Sequence, residues 1–322
     1  MQAETIYAAV NEDFLSVDGL IKNQLFSNVP LVEKIGQYII DSGGKRLRPL
    51  LVLLVSNALN ANERHYLKLA AIIEFLHTAT LLHDDVVDTS DLRRGRDTAN
   101  AKWGNAPSVL VGDFLYSRAF QMMVELRDID VMAVLANATN VIAEGEVLQL
   151  TNCKNPDITE AQYMEVITAK TAMLFEAASH SAAILCRANA DTTANMKEFG
   201  LELGIAFQLI DDVLDYQGNA AEMGKNVGDD LAEGKPTLPL LYAQQKGDDA
   251  QRKLIRKAIR EGGLEQLDAV MTAVRESGAL DYTVKLAKEY ANRAAARLER
   301  LTPSVYRDAL FALTEIAVNR TK

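Results

Sequence analysis

Two aspartate clusters with the same spacing are the residues most able to do chemistry in this sequence. They read D-D-V-V-D at residues 84–88 and D-D-V-L-D at residues 211–215. Positions four apart share one face of a helix, so the first and last aspartates of each cluster project together. Crowded carboxylates repel one another unless a cation binds, and Mg²⁺ takes oxygen ligands from one or two carboxylates plus substrate phosphates. Each cluster follows an apolar helix, which favours two metal-binding walls of one cavity over a solvated acidic surface.

Basic residues accompany both clusters. Residues 43–49, GGKRLRP, end one helix and begin the next, and a helix N-terminus flanked by Lys and Arg binds anions. Arg93 and Arg94 follow the first cluster in a loop. The other cations near these motifs are Lys170, within an apolar helix, and Lys225 and Lys235, in the Gly-rich loop after the second cluster. Many cations beside metal-binding carboxylates suit a polyanion such as a diphosphate.

Two polar side chains lie on the helix faces that carry these aspartates. His77 lies two turns before Asp84, and Gln208 lies just under one turn before Asp211. A single histidine on an apolar helix is usually a core residue. Its alignment with Asp84 nevertheless makes His77, like Gln208, a candidate to face the cavity.

Helices must position these residues. The 322 residues are 48% hydrophobic and 24% charged, with only 18 glycines and 7 prolines, and apolar residues recur at three- and four-residue spacing. The predicted helices cover residues 4–25, 30–41, 49–60, 64–88, 107–126, 129–151, 159–187 and 192–217, with four or five shorter helices between 237 and 320. No linker rich in Pro, Ser or Gln divides the chain, so a single domain over residues 1–322 is predicted.

Charge and composition exclude several classes of protein. The net charge of −10 argues against a nucleic-acid partner. Cys153 and Cys186 have neither CxxC spacing nor a histidine partner, so two free thiols in a reducing compartment are expected. The N-terminus does not resemble a signal peptide, and the longest apolar run, residues 50–55, is too short to span a bilayer. A cytoplasmic protein without a stable membrane anchor is therefore predicted.

The chain resembles trans-isoprenyl diphosphate synthases from end to end. Besides residues 43–49, the motifs that carry the resemblance are EFLHTATLLHDDVVD at 74–88, Arg93-Arg94, Gly112-Asp113, Lys170-Thr171, FQLIDDVLD at 207–215 and GKPTLP at 234–239. No motif position departs from the family pattern, and within the family the chain looks most like the bacterial members that make octaprenyl chains. The resemblance implies an all-α, isoprenoid-synthase-type helical bundle around a deep central cavity, in a homodimer.

The resemblance also assigns roles to the site residues. Mg²⁺ would be bound mainly by Asp84 and Asp88, with Asp85 in support, and a further Mg²⁺ by Asp211. The allylic substrate, farnesyl diphosphate, would contact Arg93, Lys170, Lys225 and Lys235, with Thr171 and Gln208 facing its reacting carbon. Lys170, Thr171 and Gln208 would act in catalysis. The second substrate, isopentenyl diphosphate, would bind Lys45, Arg48, His77 and Arg94.

Product length is expected to depend on the cavity below the first cluster. Ala79 and Thr80 lie about one turn before Asp84, and both are small, whereas an aromatic residue there closes the pocket of short-chain relatives. A helix of about 20 residues spans ~30 Å, which leaves room for a long prenyl tail. The resemblance implies that Met123, or its neighbours Met122 and Phe120, forms the floor.

Several other functions fit parts of the pattern. A ferritin-like di-metal site needs two E-x-x-H motifs, and only Glu74 to His77 supplies one. An HD-type phosphohydrolase could use His83 and Asp84, but four histidines in the chain are too few for a convincing site. A terpene cyclase would not need the anion site at residues 43–49. A regulatory subunit of a heteromeric synthase usually lacks one aspartate cluster, and both are intact here.

Overall fold

A computed structural model describes residues 3–217, 228–262 and 264–320. The first helices are α1 (Ala3–Ala8), α2 (Asn11–Gln24), α3 (Pro30–Asp41), α4 (Leu47–Ala58), α5 (His65–Val87), α6 (Ala99–Trp103), α7 (Asn105–Leu126) and α8 (Ile129–Asn152). They are followed by α9 (Glu160–Ile167), a π-helical turn (Thr168–Ala172), α10 (Met173–Leu185) and α11 (Ala190–Gln217). The last elements are α12 (Asp229–Ala232), α13 (Leu238–Lys246), α14 (Asp249–Glu261), a 3₁₀ turn (Leu264–Gln266), α15 (Leu267–Glu276), α16 (Ala279–Leu298) and α17 (Val305–Asn319).

A short hairpin supplies the strands within these described ranges. Its strands β1 (Leu92–Arg93) and β2 (Arg96–Asp97) are antiparallel, with Leu92 opposite Asp97. The hairpin follows the first aspartate cluster closely, so Arg93 lies on a strand and Arg94 in a tight turn rather than in a loose loop.

The chain divides into two compact units by its internal contacts. The first unit comprises the residues up to Thr139, Leu174–Gly200 and Arg297–Leu313. The second comprises Asn140–Met173, Leu201–Ala296 and the residues from Thr314. The single domain predicted for residues 1–322 stays a prediction.

Helix α5 organises the packing of the first unit. It packs against α2, α4 and α7, and every residue from Leu69 to Leu76 is buried. A helix that is apolar on all sides is buried on all sides, and each fully buried Leu, Ile or Phe contributes about 1.5–3 kcal/mol. The apolar sequence ends at Leu82, so the helix carries the cluster at 84–88 on its C-terminal end.

Helix α9 and the π-turn dock on α11 in the second unit. A capping box begins α9: the Thr159 hydroxyl accepts from the Gln162 backbone N–H (3.2 Å), and Gln162 Oε1 accepts from the Thr159 N–H (2.9 Å). Tyr163 and Ile167 are buried in one cluster with Leu209 of α11. The packing therefore fixes α9 and the turn that follows it against α11.

Most predicted helices are confirmed with bounds that differ by a few residues. The predicted helix 4–25 is divided between α1 and α2, and the predicted helix 159–187 is interrupted by the π-turn. The hairpin and α6 were not predicted, because strands of two residues carry no alternating pattern.

Candidate active site

The three carboxylates of the first aspartate cluster lie in different environments. Asp84 and Asp88 are partly exposed at the end of α5. Asp85 is completely buried, and its Oδ1 accepts two hydrogen bonds from Arg93, from Nε at 2.9 Å and from Nη2 at 2.7 Å. Asp84 and Asp88 are therefore the accessible carboxylates. Asp85 holds the hairpin's arginine, and its support of a metal stays a prediction.

Arginines gather beside residues 43–49. Arg48 Nη1 lies 3.2 Å from His77 Nε2, and the Arg48 guanidinium lies 4.5 Å from the centroid of the Phe175 ring. Arg94 packs on Gly44, where a Cβ would lie 2.5 Å from the Arg94 Cζ. Because the φ of Gly44 is also +132°, glycine is needed there both for conformation and for space. The predicted ligands Arg48, His77 and Arg94 thus lie on adjoining elements of the first unit.

A buried carboxylate lies within this arginine cluster. Glu74 is 7% exposed, and its burial raises its pKa. The charges of Arg46, Arg48 and Arg94 oppose this shift, but burial is the larger effect. Arg46 lies 3.9 Å from Glu74 and also pairs with Asp18. Glu74 offsets part of the repulsion among the guanidinium groups. The sequence signal that could have found this role is a charged residue inside a helix segment that is otherwise buried.

His77 is held neutral. Burial lowers its pKa well below the ordinary value, and the charges of Arg48, Arg94 and Arg93 lower it further. Near pH 7 its ring therefore offers a hydrogen bond to an anion rather than a positive charge. Lys45, in the segment of residues 43–49, is exposed, and its carbonyl oxygen accepts a hydrogen bond from the Tyr7 hydroxyl.

The second aspartate cluster exposes one carboxylate and buries two. The Asp211 side chain is 40% exposed, and its Oδ1 accepts from Arg320 Nη2 at 3.3 Å. Asp212 and Asp215 are buried. Asp211 and Asp215 were expected to project together, but packing leaves only Asp211 accessible. Burial and, as a smaller effect, the negative charge of Asp230 raise the pKa of Asp212 to about 7.

The π-turn holds two predicted catalytic residues. Lys170 Nζ donates to Glu146 Oε2 of α8 at 2.7 Å, and the Thr171 hydroxyl donates to Gln208 Oε1 of α11 at 2.9 Å. A Cβ at Gly145 would lie 2.9 Å from the Lys170 backbone nitrogen. Helix α8 can therefore approach the π-turn only because residue 145 is glycine. π-turns inside helices are frequent at functional sites.

Two lysines complete the predicted set. Lys235 pairs with Glu233 in the second unit. Lys225 lies outside the residues that the structure describes. The first aspartate cluster belongs to the first unit and the second cluster to the second unit, so the single cavity expected between them stays a prediction.

Comparison with known proteins decides the family. The polyprenyl synthetase family model matches residues 29–276. Octaprenyl diphosphate synthase of Escherichia coli K12 is 50% identical over 323 residues, which cover 100% of each chain. The chain belongs to the polyprenyl synthetase family.

Other polyprenyl synthetases resemble the whole chain. A nonaprenyl diphosphate synthase of Rhodobacter capsulatus, specific for geranyl diphosphate, is 49% identical and covers 98% of each chain. A polyprenyl synthase of Caulobacter crescentus, solved with calcium and isoprenyl diphosphate, superposes with a TM-score of 0.97 at 43% identity, over 100% of this chain and 98% of that one. The predicted all-α isoprenoid synthase fold and trans-prenyltransferase class are confirmed.

The aspartates suit the divalent metal on which polyprenyl synthetases depend. Asp84, Asp88 and Asp211 offer accessible carboxylate oxygens, the ligands that a hard divalent cation prefers. No three His, Cys, Asp or Glu side chains within the described ranges already form a metal-binding group.

The residues predicted to control product length lie on packed helices of the first unit. Ala79 on α5 is completely buried, Met123 on α7 is 1% exposed, and these two helices pack against each other. The Thr80 hydroxyl donates to the His77 carbonyl oxygen at 2.8 Å. Their role in this polyprenyl synthetase stays a prediction.

Helix α8 is apolar enough to resemble a membrane span. An 18-residue window in it has a mean hydropathy of 1.3, and 33% of that window is buried inside the protein. Length and composition alone are weak evidence of a span, since core helices of soluble proteins have the same properties.

Proposed function

We propose that this chain elongates farnesyl diphosphate with successive isopentenyl diphosphates to octaprenyl diphosphate, the side-chain precursor of a respiratory quinone. The observation that carries the proposal is 50% identity, over both full lengths, to an octaprenyl diphosphate synthase. The complete set of motif residues in both units supports an active enzyme rather than a regulatory subunit.

Binding of the two diphosphates is divided among the described residues. Asp84, Asp88 and Asp211 would hold Mg²⁺, which supplies neutralisation of the negative charge that develops on the leaving diphosphate. Isopentenyl diphosphate would lie on Lys45, Arg48 and Arg94, with neutral His77 as an added hydrogen-bonding partner. Lys170 and Lys235 already face carboxylates, so an incoming allylic diphosphate would compete for them.

The reaction itself then needs little acid–base chemistry from the protein. The allylic C–O bond breaks and its electron pair leaves with the diphosphate. The double bond of isopentenyl diphosphate attacks the allylic carbon, and a proton leaves the new cation for the departed diphosphate. Oxygens of Thr171 and Gln208 would stabilise the allylic cation, and apolar walls would exclude water from it.

A nonaprenyl product is the second candidate. The relative named for that product is 49% identical, only one percentage point below the octaprenyl enzyme. Overall sequence identity therefore supports prenyl transfer over other reaction classes. It does not distinguish an octaprenyl from a nonaprenyl product, because product length would depend on a few cavity residues.

We also propose a cytoplasmic homodimer that pairs through α8. The exposed residues Ile129, Ala133, Ala136, Asn140, Ala143, Val147 and Leu150 follow one another at spacings of four and three. This is the spacing of a helix–helix seam, in which small residues let two helices approach closely. A second copy of the chain would cover this apolar face better than lipid would, because Asn137 and Glu144 lie exposed beside it.

Product analysis tests the proposed reaction. The purified chain is incubated with Mg²⁺, farnesyl diphosphate and labelled isopentenyl diphosphate, and the dephosphorylated products are sized. A dominant octaprenyl product is expected, and EDTA should abolish it until Mg²⁺ is added in excess. A nonaprenyl product would keep the chemistry and correct the length, whereas no product with Mg²⁺ present would overturn the proposal.

A further inference from the structure

We infer that Asp212 and Tyr163 are positioning residues that fix the Gln208 amide so that its carbonyl oxygen, with the Thr171 hydroxyl, faces the reacting allylic carbon. This inference deepens the proposed prenyl transfer and rests on it. Neither residue needs to touch a substrate or a metal, since both act through Gln208.

A continuous chain of hydrogen bonds links the four residues. The Tyr163 hydroxyl donates to Asp212 Oδ2 at 2.6 Å. Gln208 Nε2 donates to Asp212 Oδ1 at 2.7 Å, and Gln208 Oε1 accepts from the Thr171 hydroxyl at 2.9 Å. Tyr163 is 4% exposed and Asp212 is 2% exposed, so water has little access to that end of the chain.

The amide orientation follows from which groups can donate. As a carboxylate, Asp212 accepts at Oδ1 from the NH₂ group of Gln208, so the Gln208 carbonyl points the other way, towards the Thr171 hydroxyl. The Tyr163 hydroxyl occupies Oδ2 and prevents the carboxylate from turning away.

The four hydrogen-bonded residues come from two neighbouring stretches of helix. Tyr163 lies on α9 and Thr171 on the π-turn that follows, while Gln208 and Asp212 lie one turn apart on α11. The π-turn is therefore tied to α11 at two points. The Tyr163–Asp212 bond lies deeper in the protein, and the Thr171–Gln208 bond lies at the more open end.

The orientation matters because the two ends of an amide carry opposite partial charges. A carbonyl oxygen stabilises a developing cation, whereas an NH₂ group in its place would destabilise it. Fixed dipoles aimed at developing charge are among the largest contributions to catalysis, and loss of one such group costs about 10²–10³ in rate. A flipped Gln208 would consequently lower the rate of the chemical step with little effect on substrate binding.

Exchange of donor and acceptor tests the inference. Gln208→Glu cannot donate to Asp212, and we expect the single-turnover rate of the first condensation to fall at least ~10-fold. Adding Asp212→Asn supplies an NH₂ donor to the carboxylate introduced at position 208 and again leaves an oxygen facing Thr171. The double variant should therefore recover at least about fivefold over Gln208→Glu, with the KM of both substrates within about twofold of wild type.

Tyr163→Phe gives an independent measurement, and Tyr282→Phe is its matched control. The Tyr282 hydroxyl also donates to a carboxylate, Glu160 of α9 at 3.0 Å, but on an exposed surface without a link to Gln208. Tyr163→Phe should lower the single-turnover rate about threefold to tenfold, and Tyr282→Phe should leave it unchanged.

Each outcome decides the matter. No recovery in the double variant, or equal rates for the two tyrosine variants, would overturn the inference. Recovery of either variant by excess Mg²⁺ would also overturn it, because Asp212 would then act on the metal. Product formation by the wild-type enzyme in the same assay establishes the proposed function separately, so its failure is distinguishable.

Discussion

At the scale of single residues, burial decides which charged groups act on one another. The buried carboxyl of Glu74 interacts with the charges of three arginines, and the buried carboxylate of Asp85 accepts hydrogen bonds from Arg93. Burial, and then the guanidinium groups of α4 and of the hairpin after α5, lower the pKa of His77 and keep it uncharged. The positive charge of the anion site therefore comes from Lys and Arg alone.

The pKa of His77 leads to a prediction about stability. Because its folded-state pKa lies well below the unfolded value of about 6.5, the unfolded state binds more protons between the two values. The stability contribution of His77 is therefore complete above about pH 6.5 and is lost as the pH falls towards the folded pKa. Between pH 7.5 and 5.5, wild type should lose more unfolding free energy than His77→Gln.

Urea unfolding of both proteins at the two pH values measures this difference. His65→Gln is the control, because His65 is exposed on the same helix and pairs with Glu63 at the surface. The same loss in wild type and His77→Gln would mean that His77 is not held neutral by its surroundings.

At the scale of elements, α5 carries successive functions along its length. Glu74 and His77 face the anion site, Ala79 lies in the packed interior, and Asp84 and Asp88 end the helix. One helix would thus set the distance between the diphosphates and the residues proposed to limit the tail, because a helix rises only ~1.5 Å per residue.

Substitution of Ala79 tests this arrangement. Ala79→Tyr should shorten the product by several isoprene units, because the added ring fills the space below Asp84. The product ladder is sized as for the wild type, and circular dichroism checks that the variant is folded. Ala79→Ser, which adds one small atom, is the control and should keep the wild-type length. An unchanged ladder in Ala79→Tyr would show that the tail does not pass residue 79.

At the scale of the whole molecule, the exposed face of α8 is an apolar surface that the described part of the chain leaves uncovered. Its apolar residues would destabilise a solvated monomer slightly, and pairing with a second copy would bury them. Burial of apolar surface contributes about 25 cal/mol per Å², so a seam along a helix of this length would stabilise the proposed dimer.

A charge introduced into this seam should separate the subunits. Ala136→Glu would place two carboxylates near the helix–helix contact, and we expect a monomer at concentrations where wild type is dimeric. Asn137→Glu is the matched control, since it adds the same charge on the polar margin. Sedimentation velocity distinguishes the two species. A dimer that tolerates Ala136→Glu would place the interface elsewhere.

The sequence by itself determined the helices, the motifs and the family. Helical periodicity is a local property, and the spacing of the aspartates, GGKRLRP and Lys170-Thr171 specifies their chemistry without reference to packing. The α5 and α11 clusters, the arginine pair and the π-turn lysine could all be named as site residues for this reason.

Only the tertiary structure decided which of these residues are accessible and which are committed to one another. Periodicity states which residues share a helix face, but burial depends on the elements packed against that face. Asp211 and Asp215 share a helix and differ in exposure, while Arg320 reaches Asp211 from far along the chain. The pairing of Lys170 with Glu146 and of Tyr163 with Asp212 depends on how separate helices approach, which no local pattern encodes.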